Sequence, residues 1–292
     1  MSEPILRFRI DCAEETTREW LLAEAFDAGA GGAEESEFDG RFRADIYAPP
    51  DEIEGIRAVL AGLGAPETRI EPVETLPEVD WTEAWKDGLE ALEISARLLI
   101  RPPFVASPGR AGQQEIVIEP GQAFGTGNHA STRLCLEWID GLLAGEIPAP
   151  PIDRVLDVGT GSGVLALASV ALGVREAIGF DLDPVAIEAA EEAARANPNG
   201  AAASFFAGPI EAVSGPPFPL VVANLLKKEM LPIADAIASR VAPGGRLVLA
   251  GLLEEDLVAV LARFGEAGLE ETGRRQRADP IGLWVSPCLG KP

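Results

Sequence analysis

The sequence predicts a doubly wound α/β sheet preceded by a small α+β unit of the ferredoxin-like kind. Three observations support this prediction. Strand and helix patterns alternate from residue 154 onward, a glycine-rich turn follows the first of those strands, and the first 74 residues carry a different order of elements. Because strands that alternate with helices pair in parallel, we expect a sheet with helices on both faces.

The N-terminal region, residues 1–74, has the pattern strand, helix, strand, strand, helix, strand. Residues 5–10 alternate as in a strand, and residues 16–28 have apolar side chains at helical spacing until glycines at 29–32 end the helix. Residues 37–47 are typical of a hairpin around Asp39-Gly40. A helix at 51–63 and a strand at 68–73 complete the order of a split βαβ, ferredoxin-like unit.

A linker is predicted at residues 75–92, between the small unit and a domain that spans residues 93–292. Its central part, residues 76–88, contains Trp81 and Trp85. Two residues four positions apart share one face of a helix. We therefore expect a short amphipathic helix whose tryptophans are buried between the domains.

The larger domain contains the alternating pattern. Strands are predicted at residues 154–158, 177–180, 204–206, 220–223 and 246–250, and helices at 163–173, 183–197, 227–241 and 254–267. Doubly wound sheets bind ligands at the carboxyl ends of their strands, at the point where the strand order reverses. Candidate functional residues should therefore follow these strands.

Composition and charge narrow the function classes. The net charge of −23 offers no Lys/Arg footprint for nucleic acid, and residues 1–74 hold 18 acidic and 7 basic residues. The acidity favours a basic protein partner, or serves solubility alone. No metal site is expected, because His129 is the only histidine and the three cysteines form no CxxC pair. With no apolar run long enough to span a bilayer and no secretory signal, we expect a cytoplasmic protein. We also expect a monomer.

The first candidate motif runs from Val155 to Gly163, Val-Leu-Asp-Val-Gly-Thr-Gly-Ser-Gly. Glycines after a buried strand let the backbone approach a ligand and adopt positive φ. A nicotinamide dinucleotide is one candidate ligand, but the third glycine of that GxGxxG pattern falls on Val164. The observed spacing places Gly159, Gly161 and Gly163 after Asp157, which is the form found in Rossmann-like methyltransferases. Asp157 then holds the turn or meets the cofactor.

Two further motifs follow later strands. In Gly-Phe-Asp-Leu-Asp-Pro, residues 179–184, Asp181 can accept hydrogen bonds from both hydroxyls of a ribose, unless it is only a turn residue. Asp183 is expected to cap the helix that begins at Pro184. After the fourth strand, the amide carbonyl of Asn224 can accept a hydrogen bond from an amine, unless Asn224 only forms a turn.

The most specific feature is the stretch from Glu119 to Leu136, Glu-Pro-Gly-Gln-Ala-Phe-Gly-Thr-Gly-Asn-His-Ala-Ser-Thr-Arg-Leu-Cys-Leu. It resembles the signature PG-x-AFGTG-x-H-x-[ST]-T of the ribosomal protein L11 methyltransferase (PrmA) family. The resemblance covers nearly the whole chain, because the tryptophan motif, the glycine loop and the motifs at Asp181 and Asn224 occur in the family's order. The small N-terminal unit resembles the family's substrate-recognition domain.

This resemblance implies methyl transfer from S-adenosylmethionine to lysine or N-terminal amines of a large-subunit ribosomal protein. It implies a cofactor site across Phe124–Thr126, the glycine loop and Asp181. Asn128, Ala130 and Ser131 depart from the residues common around the signature histidine. The sequence Gly-Pro-Ile at residues 208–210 stands where many relatives have a polar adenine contact, which leaves the adenine contacts unassigned.

The expected mechanism is an in-line displacement governed by the positions of the two reactants. We expect Asn224 to aim the amine, and Phe124 and Thr126 to line the methyl pocket. His129 is either a base or a residue that fixes its loop by hydrogen bonds. Rival interpretations are an enzyme for another basic protein, an enzyme for a small molecule or RNA, and a binding protein whose cofactor site is inactive.

Overall fold

A computed structural model describes residues 6–75, 89–120 and 129–292 of the chain. The chain divides into two compact units, Met1–Gly88 and Leu89–Pro292. Trp81, Trp85, Phe124 and Thr126, on which the sequence analysis relies, lie outside the described residues.

The first unit has the predicted ferredoxin-like order. Its elements are β1 (Leu6–Cys12), α1 (Glu15–Asp27), β2 (Gly32–Phe38), β3 (Arg41–Ala48), α2 (Ile53–Gly62), β4 (Arg69–Ile70) and β5 (Glu74–Thr75). The strands pair antiparallel in the order β2-β3-β1-β4, and β5 also pairs with β1. The predicted last strand at 68–73 is instead two short strands.

The β2–β3 hairpin shows why this order could be predicted locally. Asp39 and Gly40 have φ values of 53° and 69°. A two-residue turn with positive φ at both positions matches the twist of the strands on either side, and Asp-Gly tolerates it best. The hairpin then presents alternate apolar residues to the two helices, and the unit's core consists mainly of Phe8, Ile10, Leu21, Ile46, Ile53, Ile56 and Leu60.

The second unit begins with a small sheet and a helix that the sequence analysis did not predict. The sheet contains β6 (Leu92–Glu93), β7 (Leu98–Arg101) and β8 (Gln114–Val117), and the helix is α3 (Ala130–Leu143). Eleven of the fourteen residues of α3 are buried, among them Leu134, Trp138 and Ile139. A helix that is apolar on most of its surface belongs to a core, and α3 packs against β13, β15 and β16.

The main sheet confirms the predicted doubly wound arrangement. Its strands are β9 (Arg154–Val158), β10 (Glu176–Asp181), β11 (Ala203–Ala207), β12 (Phe218–Asn224), β13 (Val241–Ala250), β14 (Leu252–Leu253), β15 (Glu270–Ala278) and β16 (Leu283–Gly290). The order is β11-β10-β9-β12-β13-β16-β14, with β15 paired to β16. Strands β9 to β13 run parallel, whereas β14, β15 and β16 add antiparallel pairs. These last three strands were not predicted from the sequence.

Helices cover both faces of this sheet. They are α4 (Val164–Ala171), α5 (Pro184–Ala196), α6 (Lys227–Met230), α7 (Ala234–Arg240) and α8 (Leu257–Glu266). Alternate residues of one strand enter two separate cores, so that Val155 packs with α3 and α4 while Leu156 packs with α7 and α8. This period of two, with apolar residues on both sides, is what a buried parallel strand requires.

One predicted helix is wrong. Residues 227–241 form α6, a 3-10 turn at Leu231–Ile233 and α7, rather than one continuous helix. Pro232 lies in the middle of this segment and lacks the N–H that an α-helix needs there. Of the helices in the described ranges, none has the length and apolar character needed to cross a membrane.

Candidate active site

A cleft of about 610 Å³ opens at the carboxyl ends of β9, β10 and β12. This edge of the sheet is where the strand order reverses, since β10 lies on one side of β9 and β12 on the other. Among its described lining residues are the predicted Gly159, Gly161, Asp181, Asn224 and His129. Five residues from four separate motifs therefore line one cleft.

The glycine loop lies along the floor of this cleft. Gly159 and Gly161 have φ values of 70° and 52°, in the left-handed region that favours glycine. The N–H groups of Gly159 and Thr160 donate to the carbonyl oxygen of Phe180, at 3.0 and 2.9 Å. A Cβ on Gly159 would lie 2.4 Å from the end of the Leu225 side chain, which would have to shift, so the positive φ is the main reason for glycine at this position.

Gly163 and Asp157 lie behind the loop rather than on the cleft lining. Gly163 has a φ of 78° and begins α4, and a Cβ there would lie 2.9 Å from Phe205. Asp157 is fully buried, and its carboxylate accepts a hydrogen bond from the Thr160 hydroxyl at 2.7 Å. Burial raises the pKa of Asp157 to about 7, although the Thr160 hydrogen bond opposes the shift. Both residues support the loop from the core side.

Asp181 connects the glycine loop to the next helix. One oxygen of its carboxylate accepts the N–H of Gly161 at 3.0 Å, and the other accepts the N–H of Asp183 at 3.1 Å. Each oxygen keeps a further lone pair, and the residue lines the cleft. Asp183 accepts the N–H of Val185 at 2.9 Å with Pro184 at the first helical position, which is the predicted helix cap.

Asn224, at the end of β12, carries a buried acceptor that faces no described donor. Its Nδ2 donates to Thr132 Oγ1 at 3.1 Å, and Thr132 is fully buried in the first turn of α3. Its Oδ1 is buried and has no hydrogen-bond partner among the described residues. A buried acceptor without a partner destabilises the protein. A ligand N–H in the cleft would satisfy it.

His129 begins α3 and caps it. Nδ1 of its ring accepts the N–H of Ser131 and lies 2.8 Å from the Ser131 hydroxyl. The ring meets Trp284 edge to face, with 4.5 Å between the centroids and an angle of 76°. These contacts fix the start of α3, whereas the loop that precedes His129 lies outside the described residues.

Several cleft residues have no predicted role. Ser131, Trp284, Gly251 and Leu182 all line it. Ser131 belongs to the signature motif but was given no role, and Trp284 lies in β16, a strand that was not predicted from the sequence. Gly251 follows β13 with a φ of 81°, and only its position after a predicted strand could have indicated it. Leu182 is 75% exposed beside Asp181, a position where an apolar side chain needs a partner.

The cleft is acidic. Within the described part of the chain, its lining includes the carboxylates of Asp181, Asp183 and Glu229 and no lysine or arginine. Such a cleft favours a cationic ligand. The segment at residues 208–210 is not part of this lining. Ile210 is buried there, and Gly208 donates its N–H to the Asp181 carbonyl at 2.8 Å.

Comparison with known proteins identifies the family. Residues 40–285 match the family described as Ribosomal protein L11 methyltransferase (PrmA). Ribosomal protein L11 methyltransferase of Symbiobacterium thermophilum is 34% identical over 275 residues, which are 94% of this chain and 82% of that protein. The enzyme of the same name from Pelobacter propionicus is 35% identical over 83% of this chain and 77% of its own length.

A solved structure gives the same result. The crystal structure of ribosomal protein L11 methylase from Lactobacillus delbrueckii subsp. bulgaricus is 26% identical to this chain, with a TM-score of 0.58. The match covers 69% of this chain and 98% of that one.

Proposed function

This chain belongs to the ribosomal protein L11 methyltransferase (PrmA) family, and from that membership we propose its activity. It transfers methyl groups from S-adenosylmethionine to amino groups, at lysines or the N-terminus, of a basic protein of the large ribosomal subunit. The observation that carries this proposal is the buried carbonyl of Asn224, which has no partner among the described residues and lies in an acidic cleft.

The cleft suits the cofactor by shape and charge. Gly159 and Gly161 keep the floor free of side chains, and Asp181 retains acceptors for the two hydroxyls of a ribose. The exposed side chain of Leu182 offers an apolar surface next to Asp181, suited to one face of a base. Since the cofactor carries a sulfonium cation, the carboxylates of the lining favour its binding.

When bound, the cofactor supplies an electrophilic methyl group on sulfur, with a neutral thioether as the leaving group. A bond forms between the amine nitrogen and the methyl carbon while the carbon–sulfur bond breaks. No acid is needed for departure, but the amine must first lose its proton, because lysine has a pKa of about 10.4 and an α-amine about 8. The protein's contribution is therefore to select the neutral amine and hold it in line.

Asn224 holds the neutral amine of the substrate in this proposal. Its carbonyl accepts one N–H of the amine, which directs the nitrogen lone pair away from Asn224. The hydrogen bond from Nδ2 to Thr132 keeps the amide from rotating, so that the carbonyl stays available. A neutral carbonyl also holds an uncharged amine without raising its pKa as strongly as a carboxylate would.

The remaining parts of the proposal concern the domains, the protein partner and the cellular location. Residues 1–74 form the substrate-recognition domain, 75–92 the linker and 93–292 the catalytic domain. The excess of acidic over basic residues in the first region, 18 to 7, attracts a basic protein. We propose a monomer that acts in the cytoplasm, where ribosomal proteins are made, without direct binding to nucleic acid.

The test is transfer of a labelled methyl group to ribosomal proteins from cells that lack this enzyme. We expect label on one basic large-subunit protein, and a loss of about 10²–10³-fold with Asn224→Ala. The binding of S-adenosylmethionine should remain close to that of the wild type. Thr132→Val is the matched variant, since it keeps Asn224 and removes only the acceptor of its Nδ2, so we expect a smaller loss.

Three outcomes separate the alternatives. If the cofactor binds and no ribosomal protein is labelled, the substrate is another basic protein or a small molecule. If the cofactor does not bind, the cleft is not a methyl-transfer site. If Asn224→Ala transfers methyl groups at the wild-type rate, Asn224 does not hold the amine.

A further inference from the structure

Asp279 holds the turn between β15 and β16. One oxygen of its carboxylate accepts the N–H groups of Ile281 and Gly282, at 2.8 and 3.1 Å. Its own N–H donates to the Gly282 carbonyl at 3.0 Å. The other carboxylate oxygen accepts the indole N–H of Trp284 at 2.6 Å. One side chain therefore fixes both the turn and the direction of the tryptophan.

The ring of Trp284 supports the first turn of α3. It is 7% exposed and shares a small buried cluster with Ala130 and Leu134 of that helix. It also meets the ring of His129, which caps the same turn. A displaced indole would remove the surface on which this turn rests.

The first turn of α3 in turn holds Asn224. Thr132, one residue after the Ser131 that His129 caps, accepts the Nδ2 hydrogen bond of Asn224 at 3.1 Å. Trp284 packs with Ala130 and Leu134 in the same helix as Thr132, and so connects the carboxylate of Asp279 to the amide of Asn224, whose carbonyl has no partner among the described residues.

We infer that Asp279 is a positioning residue for the methyl transfer, which sets the aim of the Asn224 carbonyl through Trp284 and the first turn of α3. This inference rests on the proposed function. The residue has no contact with the reacting atoms in this scheme, so removing its link to Trp284 should affect turnover and leave cofactor binding unchanged.

Two substitutions separate the link from the turn. Asp279→Asn keeps an oxygen for the N–H groups of Ile281 and Gly282 and turns an amide N–H₂ toward the indole N–H, so two donors oppose each other. Trp284→Phe removes the indole N–H and keeps an aromatic ring beneath α3. The double variant lacks the indole N–H, so the two donors no longer face each other.

We expect Asp279→Asn to lower kcat about 10-fold with a near-normal dissociation constant for S-adenosylmethionine. The kcat of the double variant should lie within about threefold of the kcat of Trp284→Phe alone. The two substitutions would then be coupled and not additive. Thr272→Val is the control for stability, because it removes one hydrogen bond, from Thr272 to the Cys288 carbonyl, in the same hairpin. It should lower the melting temperature and leave kcat unchanged.

A second measurement does not depend on the substrate. In ¹⁵N NMR spectra of the full chain, Asp279→Asn should shift the side-chain amide signals of Asn224, and Thr272→Val should leave them in place. Unshifted signals in Asp279→Asn, or additive losses of kcat in the double variant, would overturn the inference. Shifted signals in a protein that labels no ribosomal protein would support the link and reject only the proposed substrate.

Discussion

The cleft has two sides that differ in how their residues are held. On one side, the glycine loop and Asp181 follow neighbouring parallel strands, and the two are joined by a hydrogen bond across 20 residues of sequence. On the other side, Asn224 is held by Thr132 of α3 across 92 residues, and Trp138 of the same helix donates to Ser286 of β16 across 148. We call these the strand-end side and the helix side.

The two sides should therefore be sensitive to different kinds of substitution. The strand-end side depends on backbone conformation, since Gly159 and Gly161 need positive φ and Asp181 accepts its hydrogen bonds from main-chain N–H groups. The helix side depends on side chains from distant elements. Four substitutions test this division, from the largest expected effect to the smallest.

Gly251→Ala should have the largest effect, because Gly251 lies where the two sides meet. A Cβ there would lie 2.5 Å from the carbonyl oxygen and 2.8 Å from the carbonyl carbon of Leu225, next to Asn224, and the φ of 81° already favours glycine. Backbone cannot yield as a side chain can. We expect a loss of stability of about 3 kcal/mol or more in urea unfolding and a loss of most methyl transfer.

Gly268→Ala is the matched control, since Gly268 has a φ of 83° and open space around its Cβ position. It should lose about 1 kcal/mol from the left-handed conformation alone. Equal losses in the two variants would show that the approach of Gly251 to Leu225 has no consequence.

Asp157→Asn tests the buried support of the strand-end side through pH. The folded pKa of Asp157 is about 7, above the value of about 3.9 expected in the unfolded chain. Between these values the folded state holds a proton that the unfolded state lacks, so the contribution of Asp157 to stability falls as pH rises and levels off above about 7.

The asparagine variant has no such dependence. The difference in unfolding free energy between wild type and variant should therefore change by about 2–3 kcal/mol from pH 5 to pH 8, because the wild type becomes less stable relative to the variant as the pH rises. Urea unfolding at several pH values measures this difference. A constant difference across that range would mean that Asp157 titrates as an ordinary carboxyl.

Asp181→Ala should weaken the binding of S-adenosylmethionine by about 10–100-fold, because the net loss of its hydrogen bonds to the ribose, in exchange for water, should be about 1.4–2.7 kcal/mol in total. Isothermal titration measures this loss. Asp183→Ala, two residues away, removes the cap of α5 and should lower stability by about 1 kcal/mol with a smaller loss of affinity. The opposite ranking of the two affinities would assign cofactor recognition to Asp183.

The same division explains what the sequence could predict. Gly159, Gly161 and Asp181 belong to short motifs at the ends of predictable strands, and the cap at Asp183 and the turn at Asp39-Gly40 depend on a few neighbouring residues. The motif of Asn224 was found in the same way. Its partner Thr132 belongs to the signature motif, but their contact could not be predicted, because α3 lies in no alternating pattern and the contact spans 92 residues.

The errors have equally local causes. The helix predicted at 227–241 is interrupted at Pro232. The prediction followed the apolar spacing of the segment and did not allow for the missing N–H of this proline. Strand β15, Glu270–Ala278, consists mostly of polar residues with an alternating burial pattern that only its pairing with β16 creates. Trp284 gains its place in the cleft from this pairing, so a reading of single segments could not assign it a role.

The smallest expected effect tests whether the helix side depends on distant charges as well as on packing. Glu137 of α3 accepts ion pairs from Arg277 at 2.7 Å, from Arg133 at 3.3 Å and from Arg275 at 3.7 Å, and its side chain is 19% exposed. Two of these arginines belong to β15, so the carboxylate ties the helix to the hairpin that carries Trp284. Glu137→Gln should reduce stability by about 1 kcal/mol, an effect that shrinks in 1 M salt.

The hairpin itself supplies the control. Glu271→Gln removes a carboxylate that pairs with Arg274 three residues away, at 2.8 Å, and this pair connects no other element. It should change stability by a few tenths of a kcal/mol, because a local pair at the surface contributes little. If Glu137→Gln costs no more than Glu271→Gln, the ion pairs between α3 and β15 do not help to place the helix. The helix side would then depend on Trp284 and the packing of α3 alone.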